Sequence, residues 1–440
     1  MSDCGALLAR LETLHPKKID LSLDRVYRLA VALGDPHKRL PATIHVAGTN
    51  GKGSVIAFLE AILTAAGKRV HVFTSPHIRD FHERIRLGGP AGTKPITDDA
   101  LAEILQRAET ANKDAPITFF EITTAAAFLA FSETPADVLL LETGLGGRLD
   151  ATNIIDNPAL TILTSISVDH TSFLGDSLFE IAREKAGILK QNVACITADQ
   201  PAAARLAIET RAAETGTALL TSGRDWMAQE QQGRMIYQSE EVLLDLPLPK
   251  LPGRHQIENA GAAITAARHM LFPHDAVEAI EAGLANVRWP ARLERLPHGT
   301  LHRLVHSESE IWLDGGHNPG AASILANALG DLEERVSRPL HLICGMMASK
   351  NAEGFFSPFK GLAAFVVTVS IPGEENAYGA DELAHHARQA GLSAEPASSI
   401  AEALRISSSA APGAARILIC GSLYLAGHVY AEHGAAILTG

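Results

Sequence analysis

The chain is short of several things that would have fixed its class at once. Its four cysteines, Cys4, Cys195, Cys344 and Cys420, are spread over 440 residues and form no CxxC pair. That spacing speaks against a cysteine metal cluster and a disulfide framework, and it fits a reducing, cytoplasmic setting. No run of about twenty apolar residues occurs, so no membrane span is expected. The first eighteen residues scatter charges through the segment and lack an apolar core, so no secretory signal is expected. Long basic runs are missing and the formal net charge is −12. That argues against nucleic acid as the main partner, and an anionic substrate has to meet a local positive pocket rather than a global field. Internal repeats and low-complexity tracts are absent as well. What the chain does have is length and apolar material. At 440 residues and 46% hydrophobic it exceeds one ordinary core, so two or three α/β domains are expected.

The most informative stretch is 44–56, IHVAGTNGKGSVI. An apolar run at 44–47 predicts a buried parallel strand, and the periodicity of 55–66 predicts a helix. Between them lie Gly48, Gly51 and Gly53, with Lys52 between the last two. Strand, glycine-rich turn, lysine and helix together make a phosphate cradle: backbone N–H groups converge on anionic oxygens, the helix N-terminus adds partial positive charge, and the lysine adds a full one. The match to the common P-loop pattern is imperfect, since Gly53 separates Lys52 from Ser54 and Val46 stands where the first glycine belongs. The plain alternative is a glycine-rich strand–helix turn that binds nothing.

Residues 1–40 read as a helical lead-in, with Leu7, Leu8, Leu11 and Leu14 on one face and a second pattern over 21–33. A strand at 69–74 runs into Ser75, which a parallel sheet would present at its ligand-binding edge. Residues 81–87 read as irregular and 90–98 as an exposed loop, with Asp98 capping a helix over 100–112. Thr118, Phe119, Phe120 and Glu121 lead into an apolar helix. A buried strand over 137–142 ends in Glu142, a Walker B-like position where a carboxylate can hold Mg²⁺. A polar loop follows over 143–153, then a strand at 160–166 that leads to His170 on the same edge as Ser75 and Glu142. The helix over 177–189 carries Glu184 and Lys185, which taken alone are a solvated face. A further strand is expected at 193–197, a helix at 202–215, a polar strand-like region at 235–244, and an Ala-rich helix running to Met270 with Asn259 near its start. The segment 289–295 is the expected domain boundary. Beyond it, strands at 310–313, 340–344, 364–369 and 415–420 alternate with helices, the pattern of a smaller, mostly parallel α/β domain.

The ordered motifs HVAGTNGKGS (45–54), TSPH (74–77), FE (120–121), LETGLGGRLDATN (141–153), DHTSFLG (169–175), REKAGI (183–188), HQIENA (255–260), DGGHNP (314–319) and GSLYL (421–425) resemble the folylpolyglutamate synthase/dihydrofolate synthase family, in its bifunctional bacterial form, among the Mur-ligase-like amide-bond ligases. The resemblance implies an N-terminal P-loop ATPase domain with a mostly parallel sheet over 1–289, a linker at about 288–297, and a smaller Rossmann-like α/β domain over 290–440. It implies ATP and Mg²⁺, with two ions, and small-molecule partners: dihydropteroate, reduced folates and L-glutamate, bound by a monomer. A carboxylate would be phosphorylated by ATP and the amine of glutamate would then displace phosphate. By motif, Asn50, Gly51, Lys52, Gly53 and Ser54 would hold the ATP phosphates, with Asn259, Arg292 and Asp314 on the nucleotide. Ser75, Glu142 and His170 would ligate Mg²⁺, joined by Lys185 as a carbamate. Catalytic roles fall to Lys52, Lys185 and His170. Thr118, Phe119, Phe120, Glu121, Leu149, Asp150 and Ala151 would hold the pterin. Ala291 stands where this family usually has Gly, Gly316 where Ala is commoner, and Lys350 lacks the usual flanking acids and receives no role. A ligase with one of the two activities, a Mur-type peptidoglycan ligase, and a nucleotide-dependent switch without ligase chemistry are the competing readings.

Overall fold

The computed structural model describes residues 4–15, 17, 19–271, 276–411 and 413–434. The outermost residues of the expected division, 1–3 and 435–440, lie outside it.

Three sheets form. The largest has eight strands: β1 (Ala42–Ala47), β2 (Val70–Phe73), β3 (Ile85–Gly89), β4 (Gly92–Pro95), β5 (Val138–Glu142), β6 (Leu160–Leu163), β7 (Cys195–Thr197) and β8 (Leu219–Thr221), in the order β4-β3-β2-β5-β1-β6-β7-β8. From β2 to β8 every pairing is parallel. The run VLLLE of β5 is buried throughout because both sheet faces are covered. Val138 and Leu140 enter the core under the helices Lys52–Ala65 and Arg254–Met270, whereas Leu139 and Leu141 face the helix Phe119–Glu133.

A small antiparallel sheet of β9 (Trp226–Gln231), β10 (Arg234–Ser239) and β11 (Leu243–Leu246) packs on the helix Arg254–Met270. The third sheet has six strands, β12 (Glu294–Arg295), β13 (Glu310–Leu313), β14 (Leu340–Cys344), β15 (Ala363–Val369), β16 (Ala394–Ala397) and β17 (Arg416–Cys420), in the order β12-β13-β17-β14-β15-β16. All its pairings are parallel except β12 with β13.

Three local expectations change. Residues 85–95, expected to be irregular and then a loop, form the antiparallel hairpin β3–β4. Gly88 lets β3 lie close against β2, because a Cβ there would lie 2.5 Å from the Val70 backbone. The helix over 98–112 is capped by Thr97, whose Oγ1 accepts from the Ala100 N–H, and Asp98 is its first residue. The segment expected as domain boundary already enters the third sheet at β12, and it does so through strained backbone: Ala291 and Leu293 have φ of +52° and +44°. Left-handed backbone is costly for any residue with a Cβ, so the glycine that the family resemblance implies at position 291 would relieve that cost.

Among the described residues no helix is long and apolar enough to cross a membrane.

Candidate active site

The glycine loop follows β1 directly, and its geometry depends on having no side chains. Gly51 has φ +90° and stands before the first helical residue, Lys52; a Cβ on it would lie 2.6 Å from Asn259 Oδ1. Gly53 lies under the Trp289 ring, with 2.6 Å between the position of its absent Cβ and Cζ2. Gly48, at φ +151°, would drive a Cβ to 1.9 Å from Thr164 Oγ1. The loop is pinned by Thr49 and Asn50, whose N–H groups both donate to the Ser165 carbonyl. Ser54 is buried inside the first helical turn.

Two lysines aim at one carbonyl. Lys52 Nζ donates to Gly48 O at 3.3 Å and Lys185 Nζ donates to it at 2.9 Å. Lys185 is 5% exposed, so the reading of a solvated face does not hold for it. Burial, reinforced by the Lys52 charge, pulls its ammonium down to about 7. The uncharged, nucleophilic form of the amine is therefore accessible near neutral pH.

β2 and β5 are adjacent and parallel, so their carboxyl ends bring Ser75 and Glu142 together. The Ser75 N–H donates to Glu142 Oε2 at 3.0 Å, and Lys52 Nζ lies 3.8 Å from Oε1. Burial pushes the Glu142 carboxyl up against the pull of Lys52. Gly53, Ser75, Glu142, Trp289 and Arg292 line one cleft. A buried carboxylate beside a serine offers the oxygen donors Mg²⁺ prefers, and a cation there would offset the cost of burying its charge. The donor set therefore fits a magnesium ion.

His170 emerges after β6 in left-handed backbone, φ +53°. Its contacts are with a second cluster, not with Ser75 or Glu142. Nε2 lies 3.9 Å from Asp169 Oδ2 and 3.3 Å from Lys350 Nζ. Burial and Lys350 lower it to about 4, so the imidazole is neutral and has a lone pair to offer near pH 7.

The turn after β13 carries Asp314. Its carboxylate accepts from the Leu293 N–H at 2.7 Å and the Gly316 N–H at 2.6 Å. Burial raises its carboxyl, opposed first by Arg292. An alanine at 316 would crowd Asp314 Oδ1 to 2.8 Å, so the glycine suits this close approach. Further along the turn, Asn318 exchanges amide hydrogen bonds with Asn50 at 3.1 and 3.2 Å, joining the third sheet to the glycine loop.

The expected pterin residues divide by what holds them. Thr118 and Glu121 form a capping box at the start of the helix Phe119–Glu133. Glu121 also takes the Arg25 guanidinium at 3.0 and 3.2 Å. Asp150 accepts from the Leu145 and Thr152 N–H groups and organises the loop over 143–153, with Ala151 buried behind it and Leu149 half-buried. Phe119 and Phe120 stay half-buried. Phe119 meets Phe81 edge-on, and Phe120 covers Gly144, where a Cβ would lie 2.3 Å from its ring.

Sequence reasoning missed Arg25, Asp169, Asn318 and Lys350 as members of this arrangement. Lys350 had no local signal, because its partner is 181 residues away. Asp169 and Asn318 stood inside quoted motifs, but only the fold brings them within 3.2 Å of each other.

The Mur ligase middle domain matches residues 46–267, and the Mur ligase glutamate ligase domain matches residues 302–423, which puts the chain in the Mur ligase class. The dihydrofolate synthase/folylpolyglutamate synthase of Escherichia coli K12 is 34% identical, over 97% of this chain and 95% of its own. Among solved structures, Escherichia coli FolC in complex with DHPP and ADP aligns with a TM-score of 0.86 and 32% identity, covering 97% of each chain. The bifunctional folylpolyglutamate synthase/dihydrofolate synthase of Yersinia pestis complexed with AMPPNP and a Mn ion aligns at 0.85 and 32%, covering 98% of each. The chain belongs to the dihydrofolate synthase/folylpolyglutamate synthase family.

Proposed function

We propose that the chain is an ATP-dependent carbon–nitrogen ligase that joins L-glutamate to dihydropteroate, forming dihydrofolate, and to reduced folates, forming polyglutamates. The observation that carries this reading is the convergence of Lys52, Ser75 and Glu142 beneath a glycine loop that the third sheet reaches through Asn318.

The chemistry follows from a weakness of the substrate. A carboxylate is a poor acyl donor at neutral pH. When one of its oxygens attacks the γ-phosphorus of ATP, ADP leaves and an acyl phosphate forms. The neutral amine of glutamate then attacks the acyl carbon, and phosphate departs with that former carboxylate oxygen. Catalysis of such a transfer rests on positioning and charge neutralisation. Lys52 supplies the fixed charge; Asn50, Gly51, Gly53 and Ser54 surround the phosphates; Asn259, Arg292 and Asp314 take the nucleotide. Ser75, Glu142, His170 and Lys185 as its carbamate would hold magnesium, which neutralises phosphate charge when bound. The lowered Lys185 amine supports carbamylation, since only the neutral form reacts with CO₂.

On the acceptor side, Phe119 and Phe120 offer ring faces for a pterin. Thr118, Glu121, Leu149, Asp150 and Ala151 hold the segments around it. We assign residues 1–289 and 290–440 to the two catalytic domains, with β12 as the first strand of the second. A monomer in the cytoplasm, without a nucleic-acid partner, completes the reading; the net charge of −12 supports the last point.

The test is phosphate release from ATP with Mg²⁺ and L-glutamate, comparing dihydropteroate, tetrahydrofolate and no acceptor. Acceptor-dependent release with both, each product one glutamate heavier by mass, is expected. Release with tetrahydrofolate alone reduces the enzyme to polyglutamylation. Acceptor-independent release overturns the ligase.

A further inference from the structure

We propose that Cys4, His82 and Asp98 form a zinc-class metal site that pins the N-terminal helix to the domain. The claim stands apart from the proposed function. The three residues come from three separate elements: Cys4 opens the helix Cys4–Leu11, His82 lies in the turn Phe81–Arg84, and Asp98 opens the helix Asp98–Asn112. One ligand atom from each lies within 4.8 Å of the other two. Thiolate, imidazole and carboxylate are the donor types zinc takes, and bonds of about 2.0–2.3 Å place the ligand atoms of one tetrahedral ion roughly 3.3–3.8 Å apart. Side-chain adjustments of up to about 1 Å, drawing the widest-spaced donors in and moving His82 and Asp98 apart, close the site.

The contact between His82 and Asp98 already brings two of the three donors together. His82 Nε2 lies 2.7 Å from Asp98 Oδ1. The nitrogen is nevertheless buried and makes no hydrogen bond. Ring nitrogen and carboxylate oxygen thus face each other at ion-pair distance, and they would part by roughly 0.6–1.1 Å to take one tetrahedral ion between them. The third donor is already in place: Cys4 is 3% exposed, with its Sγ 3.7 Å from the Asp98 carbonyl. Three protein ligands leave a fourth tetrahedral position for water.

An ion here would brace a functional wall. His82 follows Phe81, whose ring packs edge-on against Phe119 at 5.8 Å. Fixing the Phe81–Arg84 turn against two helices would hold that aromatic pair from behind. Spacing of 4, 82 and 98 matches no metal motif, which is why the sequence hides the set.

The experiment uses the full chain, stripped with a chelator, reloaded with zinc in excess magnesium, and desalted. Wild type is expected to keep about one zinc per chain. Cys4→Ser and His82→Ala are expected to lose it, with circular dichroism confirming that both fold and Asp98→Asn serving as a third variant. Loading with Co²⁺ should give wild type a thiolate-to-metal charge-transfer band that Cys4→Ser lacks. Zinc should raise the thermal midpoint of wild type and leave that of Cys4→Ser unchanged. Loss of zinc from wild type on desalting, or undiminished zinc and cobalt absorption in Cys4→Ser, would overturn the site.

Discussion

The Lys350 ammonium lies 2.7 Å from the Asp169 carboxylate, and this pair ties the segment after β14 to the loop after β6. The two side chains are only 11% and 9% exposed. Burial alone would raise Asp169, but Lys350, His170 and His317 hold it down at about 2. The same carboxylate accepts from Asn318 at 3.2 Å, so one acid collects two segments of the third-sheet domain. Removing one partner of a buried pair costs roughly 3–5 kcal/mol, largely because the other charge is stranded. Lys350→Ala is therefore expected to lose stability on the order of 3–5 kcal/mol, and to lower kcat/KM because the segments that reach Asp169 lose their anchor. Asp169→Asn should do the same, and the double variant should be little worse than either single one. Steady-state kinetics decide it; Lys350→Ala at wild-type rate would remove the pair from the account.

Lys52→Ala should abolish turnover without unfolding the chain. Its ammonium is the fixed charge nearest Glu142, and losing one such stabilising group costs about a hundred- to thousandfold in rate. Phosphate release reads the effect and thermal melting checks the fold. A near-normal rate would mean that the glycine loop grips no phosphate.

Lys185→Ala should be severely impaired and partly rescued by short carboxylates, which can stand in for the carbamate. The wild type should also lose activity below pH 7. There the ammonium, held at about 7 by burial and Lys52, regains its proton and no longer reacts with CO₂. Depleting bicarbonate should shift the same profile. A bare amine in crystals grown with bicarbonate would count against carbamylation.

The site was legible where its chemistry is local and hidden where it depends on the fold. The strand, glycine turn and helix around Lys52 lie within one short stretch, and β5 declares itself by a fully apolar run ending in Glu142. Phe81 to Pro95 misled because glycine and proline there serve a hairpin, with Gly88 letting that hairpin approach the Val70 backbone of β2. β16 escaped notice because Ala-Glu-Pro-Ala is an edge strand with little apolar signal. Lys185 reads as a surface lysine on its own helix, and only the tertiary contact with Gly48 reveals it as buried.

Acid should destabilise the fold through its buried histidines. His45 is fully buried, with Nε2 bound to Thr152 Oγ1 at 2.8 Å, and burial lowers it to about 3. The unfolded chain binds that proton near pH 6.5 and the folded chain does not. Stability from this group is therefore complete above pH 6.5 and falls as the pH drops toward 3. Thermal melts between pH 7 and pH 4 should show a steep decline that His45→Asn makes shallower. An unchanged slope in that variant would assign the acid sensitivity to other groups.

The ligase account is tested most directly by following oxygen. With dihydropteroate whose carboxylate carries oxygen-18, turnover with ATP and L-glutamate should release phosphate bearing one labelled oxygen, the other remaining in the new amide. Unlabelled phosphate alongside the same amide product would contradict the acyl phosphate.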